Sequence, residues 1–80
     1  MKQIDEASIQ RLNEVIIYLK EKSKNKLMVR LYHKILFLIE LEHFKSHQKL
    51  FIGLDFFSYK YGPFSIEIAE ALDSPMKKYS

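Results

Sequence analysis

The chain has 80 residues, no cysteine and a formal net charge of +3 at neutral pH. A chain of this length forms one small domain, and the absence of cysteine excludes disulfides and thiolate metal ligands. The polar amino terminus is atypical of a secretory signal, and the apolar run at 35–39 is too short to span a bilayer. A cytoplasmic protein without a membrane partner is therefore predicted, as a single domain over 1–80.

The first predicted helix follows Asp5, whose carboxylate can accept from free backbone N–H groups at a helix start. Apolar residues then recur three and four positions apart, the spacing of one buried stripe on an amphipathic helix: Ile9, Leu12, Ile16 and Leu19. The helix is expected to end near 22–25, where lysines suit the negative end of the helix dipole.

The second predicted helix begins at Asn25, another residue that caps helices well, and ends within 43–48. Its middle, 35–41, is apolar in nearly every direction, which is typical of a helix at the centre of a domain. Two groups of side chains are expected to cover it: Leu12, Ile16 and Leu19 on one side, and Phe57, Ile68 and Leu72 on another.

Roughly a third of the circumference of this second helix has no predicted cover within the chain. The uncovered part lies around Phe37, Leu41 and Phe44. An exposed apolar stripe of this size is typical of an interface, and a two-fold dimer is the commonest arrangement. A homodimer at micromolar concentration, with Phe37 or Leu41 at its centre, is therefore predicted.

The stretch 53–72 combines an aromatic strand, a rigid corner and a helix. Residues 55–60 favour an extended strand, which 49–52 could join as a small hairpin around Gly53. The Gly-Pro corner, Gly62 and Pro63, interrupts the strand. Ser65 is a good cap for a third helix, which is expected to stop at 73–75 before a frayed tail. The predicted fold is mainly α: three helices, with a short β-strand or hairpin before the Gly-Pro corner.

Four short motifs follow one another at characteristic spacings: LYHKILFL at 31–38, LEHF at 41–44, GLDFF at 53–57 and YKYGP at 59–63. Together they resemble the Panacea domain family, which includes SocA-like antitoxins and phage-associated GepA-like proteins. That family usually has Trp or Ala-Trp just before the corner, where this chain has Ser58-Tyr59. The family domain commonly continues beyond the corner helix, so the chain resembles a short or truncated member.

The resemblance implies a mostly helical prokaryotic or phage protein that neutralises a cognate toxin protein by binding it. SocA-like members also present the toxin to a protease. Aromatic residues around the corner are typical interface anchors, although they could equally close the core. The predicted protein-binding residues are the helix set and the corner set, of which Tyr61 is expected to be the most exposed: Phe37, Leu41, Phe44, Tyr59, Tyr61 and Phe64.

A basic cluster around the first interhelical turn supports an alternative function, that of a small DNA-binding transcriptional regulator. The cluster comprises Lys20, Lys22, Lys24, Lys26 and Arg30. Such residues bind phosphates, and the last four are the nucleic-acid-binding residues of this alternative. A solvated loop is the favoured interpretation, because no element is evidently built to enter a groove.

Two further patterns have both a chemical interpretation and an ordinary surface interpretation. His43 and His47 share a helix face as zinc ligands do, and a third ligand would have to come from Glu40, Glu42 or His33. Asp55, Glu67 and Glu70 could serve as acid and base, but no nucleophile accompanies them. Solvated side chains explain both patterns, so no metal, no cofactor and no enzymatic activity are predicted.

Overall fold

A computed structural model describes residues 5–60 and 62–79, of which 73–79 are described by their backbone alone. Within this part of the chain there are three helices and one antiparallel two-stranded sheet: α1 Glu6–Ser23, α2 Val29–His47, β1 Phe57–Tyr59, β2 Gly62–Phe64 and α3 Ile66–Tyr79. The predicted mainly-α fold, with three helices and a short hairpin before the last one, is confirmed. None of the described helices is long and apolar enough to cross a membrane.

Helix α1 begins as the sequence predicts. The Asp5 carboxylate accepts from the backbone N–H of Ser8 at 2.8 Å, which satisfies one of the donors that a helix start leaves free. Leu12 and Ile16 are buried on the core side, whereas Ile9 at the beginning of the stripe is exposed. The apolar stripe of α1 therefore enters the core from Leu12 onwards.

The predicted start of the second helix at Asn25 is wrong. Lys24 and Asn25 both have left-handed backbone angles, with φ of 56° and 61°. The N–H of Asn25 donates to the carbonyl oxygen of Lys20 at 2.9 Å, so this turn closes α1 rather than opening α2. Helix α2 begins four residues later at Val29, after Met28, which makes no side-chain capping bond.

The core lies between α1, α2, α3 and the α2–β1 loop (48–56). Its buried apolar side chains are Leu12, Ile16, Tyr32, Leu36, Ile52, Leu54 and Ile68. Ile52 and Leu54 come from the loop. They cover the side of α2 that Phe57 is predicted to cover together with Ile68 and Leu72. Phe57 is 48% exposed, so its predicted inward position is wrong. Leu19 and Leu72 pack at the edge of this core as partly buried side chains.

The hairpin pairs β1 with β2, in the register Phe57↔Phe64, Ser58↔Pro63 and Tyr59↔Gly62. The predicted partner segment, 49–52, lies in the α2–β1 loop instead, where the N–H of Ile52 donates to the buried carboxylate of Glu40. The Gly-Pro corner is part of β2 itself. Gly62 has a φ of 118°, which glycine adopts readily and other residues avoid.

Helix α3 begins at the predicted cap. The N–H of Ile68 donates to the Ser65 hydroxyl at 3.4 Å, and the N–H of Ala69 donates to the Ser65 carbonyl at 3.1 Å. The predicted stop at 73–75 is wrong, since the backbone is helical to Tyr79. Of the predicted tail, 76–80, the part 76–79 is helical and Ser80 lies outside the described residues. A proline inside a helix removes one hydrogen bond and strains the preceding turn, yet the other turns can still pair.

Candidate functional site

A buried carboxylate holds the α2–β1 loop in place. Glu40, which is 3% exposed, accepts from three consecutive backbone N–H groups: that of Ile52 at 2.9 Å and those of Gly53 and Leu54 at 2.7 Å each. Gly53 has a φ of 97°, which helps successive N–H groups converge on one acceptor. Three donors compensate for the burial of the charge, and the loop is thereby fixed on α2.

A second buried side chain of α2, His33, holds the end of the hairpin. The backbone N–H of Ser65 donates to His33 Nδ1 at 3.0 Å, so Nδ1 is unprotonated and the proton of the neutral ring lies on Nε2. Nε2 has no hydrogen-bond partner among the described residues. Burial away from water lowers the pKa of His33, which favours this neutral form.

Between these two anchors the hairpin carries a cluster of aromatic rings. Phe64 stacks on His33 with ring centroids 4.6 Å apart and an interplanar angle of 15°. Phe57 and Tyr59 pack on Phe64 at 5.4 Å and 5.3 Å. Phe57 and Tyr59 remain 48% and 57% exposed, so two rings face solvent and pack on the partly buried Phe64, which in turn stacks on the buried His33.

An open cleft of about 400 Å³ lies against the hairpin, and is called the hairpin cleft below. It is lined by all three residues of β1, by Gly62 and Pro63 of β2, and by Phe37 and Phe56. Phe37 meets Phe56 edge to face at 5.3 Å, which places α2 in one wall of the cleft. The predicted residues Phe37 and Tyr59 therefore line one cleft, which Phe57 also lines although it is predicted to be a core residue. Phe64 does not line this cleft, but packs on Tyr59.

The other two predicted protein-binding residues of α2, Leu41 and Phe44, do not line the hairpin cleft. Leu41 and Phe44 lie about one and two turns beyond Phe37 along α2, and are 38% and 46% exposed. Phe37 itself is half-buried, because Phe56 covers part of it. Tyr61, the corner residue predicted to be most exposed, lies outside the described residues.

The basic residues line the surface from the end of α1 to the start of α2. Lys22, Lys24, Lys26 and Arg30 are all exposed, and none of them forms an ion pair with a described residue. The ammonium group of Lys22 lies 5.6 Å from the ring centroid of Tyr18. Arg30 differs from the other three, since it lines a smaller cleft of about 230 Å³ together with Tyr59 and Gly62.

His43 and His47, the two histidines spaced like zinc ligands, stack on each other with ring centroids 4.2 Å apart. His43 Nδ1–H donates to the carbonyl of Lys49 at 2.8 Å. Glu40 is occupied by backbone donors, and His33 is about 15 Å away along the helix. No group of three potential ligands among the described residues could hold a metal ion. Of the acidic residues weighed as acid and base, Glu67 accepts from the Ser65 hydroxyl at 2.7 Å.

Comparison of the chain with protein-family models, curated proteins and solved structures found no match. The likeness to the Panacea family therefore depends on the four sequence motifs alone.

The structure assigns physical roles to parts of three of these motifs. His33 lies in LYHKILFL, GLDFF supplies two of the N–H groups that bind Glu40, and YKYGP spans the hairpin turn.

Proposed function

We propose that this chain is an antitoxin-type protein-binding module that neutralises a partner toxin in the cytoplasm. One observation carries the proposal: Phe57 and Tyr59 are about half exposed on a hairpin that is anchored at both ends to α2. Large aromatic side chains on a rigid support are typical of binding hot spots, because little conformational entropy is lost when a partner covers them. Leu41 and Phe44 extend the apolar surface along α2.

The supporting geometry favours binding over catalysis. The two buried polar side chains of α2, Glu40 and His33, bond to backbone N–H groups of the chain itself. Their observed contacts position the loop and the hairpin, and do not point to a reacting group. By analogy with SocA-like proteins, the module is also proposed to present its toxin to a protease.

Co-expression with the product of the neighbouring open reading frame tests the proposed function. The neighbour is expected to arrest growth when expressed alone, and to be neutralised by and co-purify with this chain. Tyr59→Ala should weaken binding by about tenfold or more, the loss typical of a hot-spot residue. Tyr18→Ala is the matched control, since Tyr18 on α1 is also 57% exposed. A neighbour that is neither toxic nor bound would reject the antitoxin function.

A second candidate, a small DNA-binding regulator, is favoured by the exposed cations at the α1–α2 turn, which form no ion pair with a described residue. Replacing Lys22, Lys24 and Lys26 by Glu would abolish DNA binding and leave toxin binding intact. The wild-type affinity for duplex DNA is expected to fall steeply as the salt concentration rises, because phosphate contacts release counterions. A gel-shift assay at low salt without a retarded band would remove this candidate.

A further inference from the structure

The pairing of the hairpin decides which backbone groups face outward. Pro63 has no N–H, so the Ser58↔Pro63 pair cannot exchange the two hydrogen bonds of a closely bonded pair. The bonded pairs are therefore the two on either side of it, Phe57↔Phe64 and Tyr59↔Gly62. It follows that the N–H and C=O of Ser58 point away from β2, along the outer edge of β1.

This outer edge is open in the described part of the chain. Ser58 is exposed, its backbone groups face away from β2 in this register, and outside the helices and the sheet no described group forms a hydrogen bond with them. The opposite edge differs, because β2 packs against α2 and Pro63 has no donor to offer there. An exposed strand edge with an unpaired donor and acceptor is a template for another strand. Of the two edges, β1 is the one on which a strand can add.

The hairpin cleft extends across one face of the hairpin to this edge, since Gly62 and Pro63 of β2 line it together with all three residues of β1. Phe37 and Phe56 form its apolar wall. In strand addition, backbone hydrogen bonds supply affinity, while pockets that receive alternate side chains supply specificity. Ser58 would supply the backbone bonds, and the phenylalanine rings would contact the apolar side chains of an added strand.

Two cations at the turn end of the hairpin indicate which charge the partner would carry there. Lys60 in the turn is exposed, and Arg30 lines the smaller cleft beside Tyr59 and Gly62. Neither cation forms an ion pair with a described residue. A carboxylate near the turn would therefore be attracted to both.

We propose that an extended segment of the partner adds to β1 as a third strand. The segment carries apolar side chains at alternate positions, which enter the hairpin cleft, and at least one acidic residue near Lys60 and Arg30. This inference rests on the proposed function, since the segment belongs to the protein that the chain binds.

Ser58→Pro tests the strand addition directly. The substitution removes the outward N–H of Ser58 and leaves the bonds between β1 and β2 in place, whereas the control Ser58→Ala keeps the N–H. Affinity for the product of the neighbouring open reading frame is measured by titration calorimetry. We expect Ser58→Pro to weaken binding about tenfold or more, because a buried C=O of the partner loses its donor, and Ser58→Ala to have little effect. Equal affinities of a folded Ser58→Pro and the wild type would overturn the inference.

Hydrogen exchange in the wild-type complex gives a second measurement that needs no variant. The Ser58 amide is expected to exchange fast in the free protein and at least about tenfold more slowly in the complex. An unchanged rate for Ser58 in a stable complex would overturn strand addition while the proposed function stands. If the wild type binds no neighbour product, the proposed function itself fails. For the acidic residue, Arg30→Glu should weaken binding about threefold at low salt, and an unchanged affinity would contradict that part.

Discussion

Replacement of Glu40 by Gln is expected to destabilise the domain strongly. The carboxylate accepts from the N–H groups of Ile52, Gly53 and Leu54 with two oxygens. A glutamine amide has a single oxygen, so at least one buried N–H loses its acceptor, at a cost of about 1–3 kcal/mol. The remaining bonds lose their charge assistance, which roughly halves their strength. Relief of the buried charge offsets part of this loss.

The net loss for Glu40→Gln is therefore about 2–3 kcal/mol. An 80-residue domain has a total stability of about 4–12 kcal/mol, so this variant would lose a large share of it. The corresponding drop in melting temperature is roughly 10–20 °C.

Urea unfolding followed by circular dichroism measures this change in free energy. Glu42→Gln is the matched control, because Glu42 lies two positions away on the same helix, is exposed, and only approaches Lys45 at 4.0 Å. The control should change the free energy of unfolding by less than about 0.5 kcal/mol. If Glu40→Gln is no less stable than Glu42→Gln, the three hydrogen bonds do not hold the loop, and the assignment of Glu40 as an anchor is wrong.

Three further predictions follow from single features of the structure. Burial lowers the folded-state pKa of His33 below its usual 6.5. The contribution of neutral His33 to stability is therefore complete above pH 6.5 and is lost as the pH falls through the folded-state pKa. Urea unfolding between about pH 8 and pH 5 should show this loss, and His33→Gln, which does not titrate, should remove that part of the pH dependence. Gly62→Val should cost more than about 1 kcal/mol by backbone strain alone, because φ is 118° and nothing lies within 4 Å of the added Cβ; an unchanged melting temperature would contradict this. Light scattering coupled to size exclusion should give a dimer mass at micromolar concentration and a monomer mass for Leu41→Glu, whereas a wild-type monomer would mean that the exposed stripe on α2 is not a dimer interface.

The sequence was sufficient for the features that local chemistry determines. The cap at Asp5, the buried positions Leu12 and Ile16, and the cap at Ser65 all depend on a few neighbouring residues, and all three are present. Asn25 shows the limit of such reasoning. Asn is favoured both before a helix start and in the left-handed turn after a helix end, and only the backbone geometry distinguishes the two.

The two anchors on α2 could not be found from the spacing of apolar residues. Glu40 lies in the nearly continuous apolar run 35–41, and His33 lies between Tyr32 and the start of that run. A polar residue in such a place signals a buried partner, but the partners are backbone groups 12 to 14 residues away for Glu40 and 32 residues away for His33. Backbone N–H groups have no sequence signature, so neither contact was predictable.

The positions of the two anchors explain how so short a hairpin can present aromatic side chains. Strands of three residues are marginal on their own, because few hydrogen bonds compensate for the entropy lost on ordering them. Glu40 and His33 are seven residues apart, which places them on the same side of α2, two turns from each other. One binds the chain just before β1 and the other binds it just after β2. Because both ends are fixed to one rigid helix, the cost of ordering Phe57, Tyr59 and the edge of Ser58 is met largely by folding, and the proposed partner would not have to meet it on binding.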